Sequence, residues 1–199
     1  MQPEIITLSR SCESMEIPSG ITHTLPAGTR VRVMQKLGGS YTVMGLDVGG
    51  MYRIDPKDAD ALGLTAATEQ APTAPQGELT EEMVWRELRT VYDPEIPVNI
   101  ADLGLIYSCV IQPHEKGGRL IDIKMSMTAP GCGMGGVLKA DVERKLSRLP
   151  DVTEVRAEIV FEPQWHPGRM SEAARLQLGI DMDYYSPDPS SLPVMKEQK

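Results

Sequence analysis

Residues 120–149, LIDIKMSMTAPGCGMGGVLKADVERKLSRL, decide the fold. Ile121, Ile123, Met125 and Met127 alternate with Asp122, Lys124 and Ser126, which predicts a strand with one dry face and one wetter face. A glycine-rich loop follows. Leu138, Val142, Leu146 and Leu149 then recur at helical spacing until Pro150 stops the run. A strand passing through glycines into an amphipathic helix is a unit that needs further strands and helices around it, and the flanking sequence supplies them.

Downstream, VTEVRAEIVF reads as another strand, and MSEAARLQLG as a helix with Ser171 as N-cap and Gly179 as its stop. Upstream, LIYSCVI (Leu105 to Ile111) is a strand joined to LIDIKMSMT by the turn HEKGGR. Before it, Thr80 can cap a helix with Glu81 and Glu82 in its first turn, and Leu79 can staple against Val84. Val84, Leu88 and Val91 form its apolar stripe, and Asp93-Pro94 ends it. The order helix, strand, strand, helix, strand predicts an α+β domain with a small three-stranded sheet over residues 78–180. Residues 1–65 read as a small β-rich domain, with strands at Thr29 to Met34, in SYTVMGL and in MYRI, separated by glycine turns. A compact barrel or roll, or a meander docked on the second domain, fits this spacing. PKDADALG closes it with one helical turn. Residues 66–77, AATEQAPTAPQG, predict a linker, and 181–199 a flexible tail.

Composition narrows the functional classes. The chain has 199 residues and is 41% hydrophobic, but aromatics total 5%, so aliphatic residues and 12 methionines must do much of the packing. A formal net charge of −8 opposes nonspecific binding to nucleic acid or anionic membranes, which require a positive face. No stretch approaches the ~20 apolar residues of a membrane span, and the first residues show no secretory pattern. The 3 cysteines, Cys12, Cys109 and Cys132, are too few and odd in number for a disulfide framework. A soluble, cytoplasmic protein with reduced thiols is expected.

The loop MTAPGCGMGG supports three readings. Gly131, Gly133 and Gly136 satisfy G-x-G-x-x-G after a strand and before a helix, with Glu162 further on, as in a dinucleotide-binding turn. Against this, Asp122 and Lys124 interrupt a strand that should be apolar on both faces, and too little chain follows for further βαβ units. In the second reading, Cys132 near a helix N-terminus is biased toward the thiolate, with glycines leaving it accessible and Thr128 able to hydrogen-bond a sulfur or an anion. In the third, the glycines make a turn and Cys132 packs as a small hydrophobe. No complete metal motif is visible, and a hydrolytic triad has no serine setting. Cys109 is expected to be buried mid-strand, Cys12 to be an exposed loop thiol, and His114 and His166 to be solvated. Asp93, Glu95 and Asp102 in DPEIPVNIADLGLIY either hold a metal or do acid–base work, or accept backbone hydrogen bonds in turns; Asp102 fits the turn role best.

DPEIPVNIADLGLIY followed by MTAPGCGMG resembles the metal–sulfur cluster biosynthetic domain, also seen in PaaD proteins and in the N-terminal domain of Mrp-type carriers. IPSGITHTLPAGTRVRVMQKLGGSYTV, KDADALG and SEAARLQLG look closer still to SufT proteins, so the resemblance runs from about Leu8 to Gly179. It implies an accessory factor in iron–sulfur cluster assembly rather than an enzyme. The family's loop cysteine carries over onto Cys132 and its upstream threonine onto Thr128, with Gly131 and Gly133 flanking the sulfur. The family acids fall on Asp93, Glu95 and Asp102, and a SufT cysteine falls on Cys12, a second candidate metal ligand. Much of the wider family has proline after the loop cysteine, whereas this chain has Gly133-Met134, as SufT proteins do. The implied cargo is a transient iron–sulfur cluster, shared with a second subunit, a small thiol or the client. The implied partners are apo iron–sulfur proteins and the assembly machinery, with a homo-oligomer allowed; the rival is an adaptor that binds them without carrying a cluster.

Overall fold

The computed structural model describes residues 4–64, 77–129 and 133–180. Almost all of the expected linker and the whole of the expected tail lie outside these residues. The N-terminal unit is a six-stranded antiparallel sheet of β1 (Ile5–Thr7), β2 (Cys12–Ile17), β3 (Thr22–Leu25), β4 (Arg30–Leu37), β5 (Ser40–Gly45) and β6 (Met51–Ile54). Its order is β1-β4-β5-β6-β2-β3, so the pairing is open at β1 and β3 rather than closed into a barrel. Three strands in addition to those read from the sequence, β1, β2 and β3, lie in the polar-looking N-terminal stretch. Val33, Val43 and Tyr52 line up across β4, β5 and β6 and pack with Leu8, Leu25 and Ile54. A 3-10 helix, Pro56–Leu62, closes that core with Ala59, Ala61 and Leu62, and Gly63 ends it in the left-handed region.

The C-terminal unit follows the expected order. Helix α1 (Glu81–Leu88) is capped by the Thr80 side chain, which accepts from the Met83 N–H. It is followed by β7 (Ile106–Pro113), β8 (Arg119–Met125), α2 (Gly135–Leu146), β9 (Val152–Ile159) and α3 (Glu172–Leu178). Ser171 caps α3 by accepting from the Ala174 N–H, and Gly179 ends it in the left-handed region. The sheet order is β7-β8-β9, with β7 antiparallel and β9 parallel to the central β8. Ile121, Ile123 and Met125 are fully buried beneath Leu138, Val142 and Leu146 of α2. The other face pairs Asp122 with Arg156 and Lys124 with Glu158 across β8 and β9. This sheet is therefore dry on one side only. Ser126 departs from the predicted wet face: it lies beyond the strand end, 1% exposed, where its N–H donates to the Leu105 carbonyl.

The two units share a polar, buried seam. Gln35, Thr42 and Arg53 are cross-strand neighbours on β4, β5 and β6, on the face opposite Val43 and Tyr52. Gln35 Nε2 donates to the Asp93 carbonyl at 3.2 Å, and the Thr42 hydroxyl to the Pro94 carbonyl at 3.2 Å. Arg53, 5% exposed, forms an ion pair with Asp141 of α2. Its Nε and Nη1 have no hydrogen-bond partner among the described residues, so Asp141 carries most of the compensation of a buried charge. The loop after α1 is built to meet this seam. Asp93 Oδ1 accepts the N–H groups of Glu95 and Ile96 at 2.8 and 2.9 Å, an Asx turn that points the Asp93 and Pro94 carbonyls outward.

Two outcomes follow from the seam. Asp141→Ala strands the Arg53 guanidinium and should cost about 3 kcal/mol in urea unfolding, while the double change Arg53→Met with Asp141→Leu should cost much less. Equal losses would mean that the charge pair does not hold the seam. Burial raises the Asp93 carboxyl above the usual carboxylate range despite its two N–H donors, so the folded chain binds this proton more readily than the unfolded chain. Wild type should thus gain stability relative to Asp93→Asn as pH falls from neutrality toward ~4. A difference that stays constant or shrinks on acidification contradicts this sign.

Candidate functional site

The loop between β8 and α2 is the crossover of a parallel βαβ unit, which is where such folds place their functional groups. Gly131 and Cys132, with Pro130, lie outside the described residues. Thr128 and Gly133, on either side, are described. α2 begins at Gly135 with no side-chain cap and no acidic residue in its first turn. Its macrodipole is therefore uncompensated by charge at the end that the cysteine segment enters. On the other side, Thr128 is half-buried and helps line a surface hollow of about 420 Å³ with Met127, Phe161, Glu162, Gln164 and Trp165. Phe161 is 50% exposed there, an apolar surface beside a polar rim.

The hollow's far wall is fastened by the DLGL segment. The Ser171 N–H donates to the Asp102 carbonyl at 2.8 Å, and Trp165 Nε1 to the Leu103 carbonyl at 2.8 Å. Arg169 Nε donates to the Gly104 carbonyl at 3.3 Å. Gly104 has φ +69, and a Cβ there would overlap the Arg169 carbonyl, so only glycine fits. Tyr107 adds a hydroxyl bond to the Pro163 carbonyl at 2.8 Å, and its ring lies 3.9 Å beneath the Arg169 guanidinium. The strap 161–170 thus owes its position to residues 102–107.

The three acids are not gathered at this hollow. Asp93 is buried as a turn acceptor. Asp102 accepts from Asn99 Nδ2 at 2.6 Å, and its N–H donates to Asn99 Oδ1 at 2.8 Å. Glu95 is exposed and lines a different hollow with Met34, Lys36 and Pro97, its carboxyl raised first by partial burial and then by Asp93. Asp93 accepts backbone N–H groups as the turn reading has it, whereas the Asp102 carboxylate accepts from the Asn99 side chain and, among the described residues, not from a backbone N–H.

The thiols divide in the same way. Cys12 is 2% exposed, inside β2 and the N-terminal core, which corrects the exposed loop thiol expected from LSRSCES. Burial, then the nearby Asp58, raises its pKa, so it is held as the neutral thiol and not as the thiolate a metal requires. Cys109 is half-buried against the C-terminal core and is pushed up to about 12, again chiefly by burial. His114 also differs from expectation: its side chain is 13% exposed and lies 2.9 Å from Glu154. Among the described residues no three or more His, Cys, Asp or Glu side chains are arranged to hold a metal ion. Sequence reasoning missed Phe161, Gln164 and Trp165. Their signal was FEPQWHPGR (Phe161 to Arg169), two large apolar rings beside prolines in a segment too short to fold alone.

Residues 81–159 match the iron–sulfur cluster assembly protein family. A Porphyromonas gingivalis protein named Fe-S protein maturation auxiliary factor is 43% identical over 101 residues, 51% of this chain and 92% of that protein. The Bacillus subtilis Fe-S protein maturation auxiliary factor YitW is 35% identical over 103 residues, 52% of this chain and 97% of its own length. The Staphylococcus aureus Fe-S protein maturation auxiliary factor SufT is 32% identical over 90 residues, 45% of this chain and 98% of its own length. Each accounts for about half of this chain, and the family match lies wholly within the C-terminal unit. This chain belongs to the iron–sulfur cluster assembly protein family.

Proposed function

We propose that this protein is a non-enzymatic accessory factor that delivers or inserts iron–sulfur clusters into apo-proteins, with Cys132 as the contact sulfur. Family membership supports the assembly role. The observation that carries the choice of Cys132 is the start of α2 at Gly135, three residues after it, with no side-chain cap and no acidic residue in the first turn. A helix N-terminus favours the thiolate, and a thiolate is the form that binds iron. Cys12 and Cys109 are held in the opposite state by burial. Thr128 and the adjoining hollow offer a hydroxyl and an apolar ledge to a client's surface.

One thiolate completes no cluster site, because iron in such clusters takes several thiolates. The cluster is therefore cargo, held jointly with a second subunit, a small thiol or the client, and released by thiolate exchange. The working partners are apo iron–sulfur proteins and the assembly machinery, in the cytoplasm. Among the described residues no helix is long and apolar enough to cross a membrane.

Anaerobic reconstitution with iron and sulfide tests this. Wild type should develop sulfur-to-iron charge-transfer absorption and Cys132→Ala should not; absorption absent from both, or equal in both, contradicts carriage by Cys132. If Cys132→Ser also keeps full client-maturation activity and partner binding, the protein is an adaptor instead.

A further inference from the structure

Both sheets are open, and their strand edges are not equally protected. β1 and β3 are only three and four residues long. β9 carries Glu154, Arg156 and Glu158, and the Glu143 carboxylate reaches round to accept from the Ala157 N–H at 3.3 Å. β7 has neither defence. Its eight residues, IYSCVIQP, include no charged side chain, and among the described residues β8 is the element that runs beside it. Val110 lies in its middle, opposite Asp122 on the face away from the core, and is 47% exposed. Hydrogen-bond alternation gives this edge a definite register. The His114 N–H donates to the Gly118 carbonyl at 3.0 Å, and Pro113 has no N–H to give, so Gln112 and Val110 turn their backbone groups toward β8. Cys109 and Ile111 turn theirs outward, and no backbone group of another described residue reaches them there.

We infer that β7 is a docking edge for a second copy of this chain, pairing antiparallel with its own β7 about a two-fold axis at Val110. In that register Cys109 lies opposite Ile111 of the second copy, and Ile111 opposite its Cys109, so the outward N–H and carbonyl groups of both chains bond to each other. Val110 meets its counterpart in the closer, non-hydrogen-bonded pairing, which removes an exposed valine from water. Charge favours a like chain as the occupant. Two chains of net charge −8 join best where neither presents charge, and β7 is such a surface. The nearest charged strands, β8 and its counterpart, then stand three strand spacings apart, about 14 Å, beyond the ~8 Å reach of charges in physiological salt. Opposite charges meet at the ends. The Arg169 guanidinium lies over Tyr107, and the antiparallel register brings the exposed Glu115 of the second copy to that end. The edge is short, so the dimer is weak and concentration-dependent. This pairing does not rest on the choice of Cys132.

Sedimentation equilibrium of the full chain, over a concentration series to about 1 mM, reads this pairing. The wild-type mass should rise toward twice that of the monomer. Val110→Lys should stay monomeric, because like charges then face each other across the axis, while Asp122 on β8 accommodates the ammonium within one chain. Val110→Glu should also stay monomeric, and an equal mixture of the two variants should regain the dimer. Amide exchange in the wild type gives a second readout. The Cys109 and Ile111 N–H groups should slow severalfold between dilute and concentrated protein, and the Val110 N–H, already turned to β8, should not change. A wild type that stays monomeric at the top of the series overturns the inference. So does a dimer that Val110→Lys leaves intact, or a mixture of variants that stays monomeric. Protection of Cys109 and Ile111 that appears only on adding an apo iron–sulfur protein assigns the edge to a client strand and overturns the second copy. If both Val110 variants fail to fold, the concentration dependence of exchange in the wild type decides.

Discussion

The buried charge of Arg53 is the constraint around which the two units are arranged. A guanidinium 5% exposed must find an anion, and Asp141 on α2 is the one the fold supplies. That pairing fixes α2 against β6. With α2 fixed, Gln35 and Thr42 meet the carbonyls of Asp93 and Pro94, and the Pro18–Gly20 turn meets Gly133. The cost of burying these polar groups is offset only when all of them find partners together, which favours one relative placement of the units.

The family motifs acquire physical meanings from this frame. In DPE, the Asp93 side chain makes the turn and the backbone makes the dock, so the acid is structural. In DLGL, three successive carbonyls receive Ser171, Trp165 and Arg169, which hold the strap beside the Thr128 hollow and the start of α3. Among the described residues neither motif presents a metal-binding cluster.

Local signals carried much of this fold. The caps Thr80 and Ser171 stand immediately before apolar stripes, and the alternation of Ile121, Ile123, Met125 and Met127 marked the buried face of β8. What failed depended on partners distant in the chain. LSRSCES looked polar and exposed, yet Cys12 and Ser14 are buried on β2, an interior strand whose Cys12 packs in the core with Leu8, Leu25 and Leu62. Thr42 and Arg53 occupy the polar phase of their strands and would face water in an isolated sheet; they are buried by the other unit. His114 looked like a turn residue until β9 brought Glu154 to it. The site divides likewise. The loop chemistry and the resemblance single out Cys132 and Thr128 as candidates, whereas Phe161 and Trp165 come beside Thr128 only through the docking of residues 161–170 on DLGL.

The central claim is that the two units form one cooperative body. Differential scanning calorimetry of the full chain tests it most directly. A single transition whose calorimetric and van't Hoff enthalpies agree is predicted. Two separated transitions, one for each unit, would show that the seam does not couple them and would contradict the account.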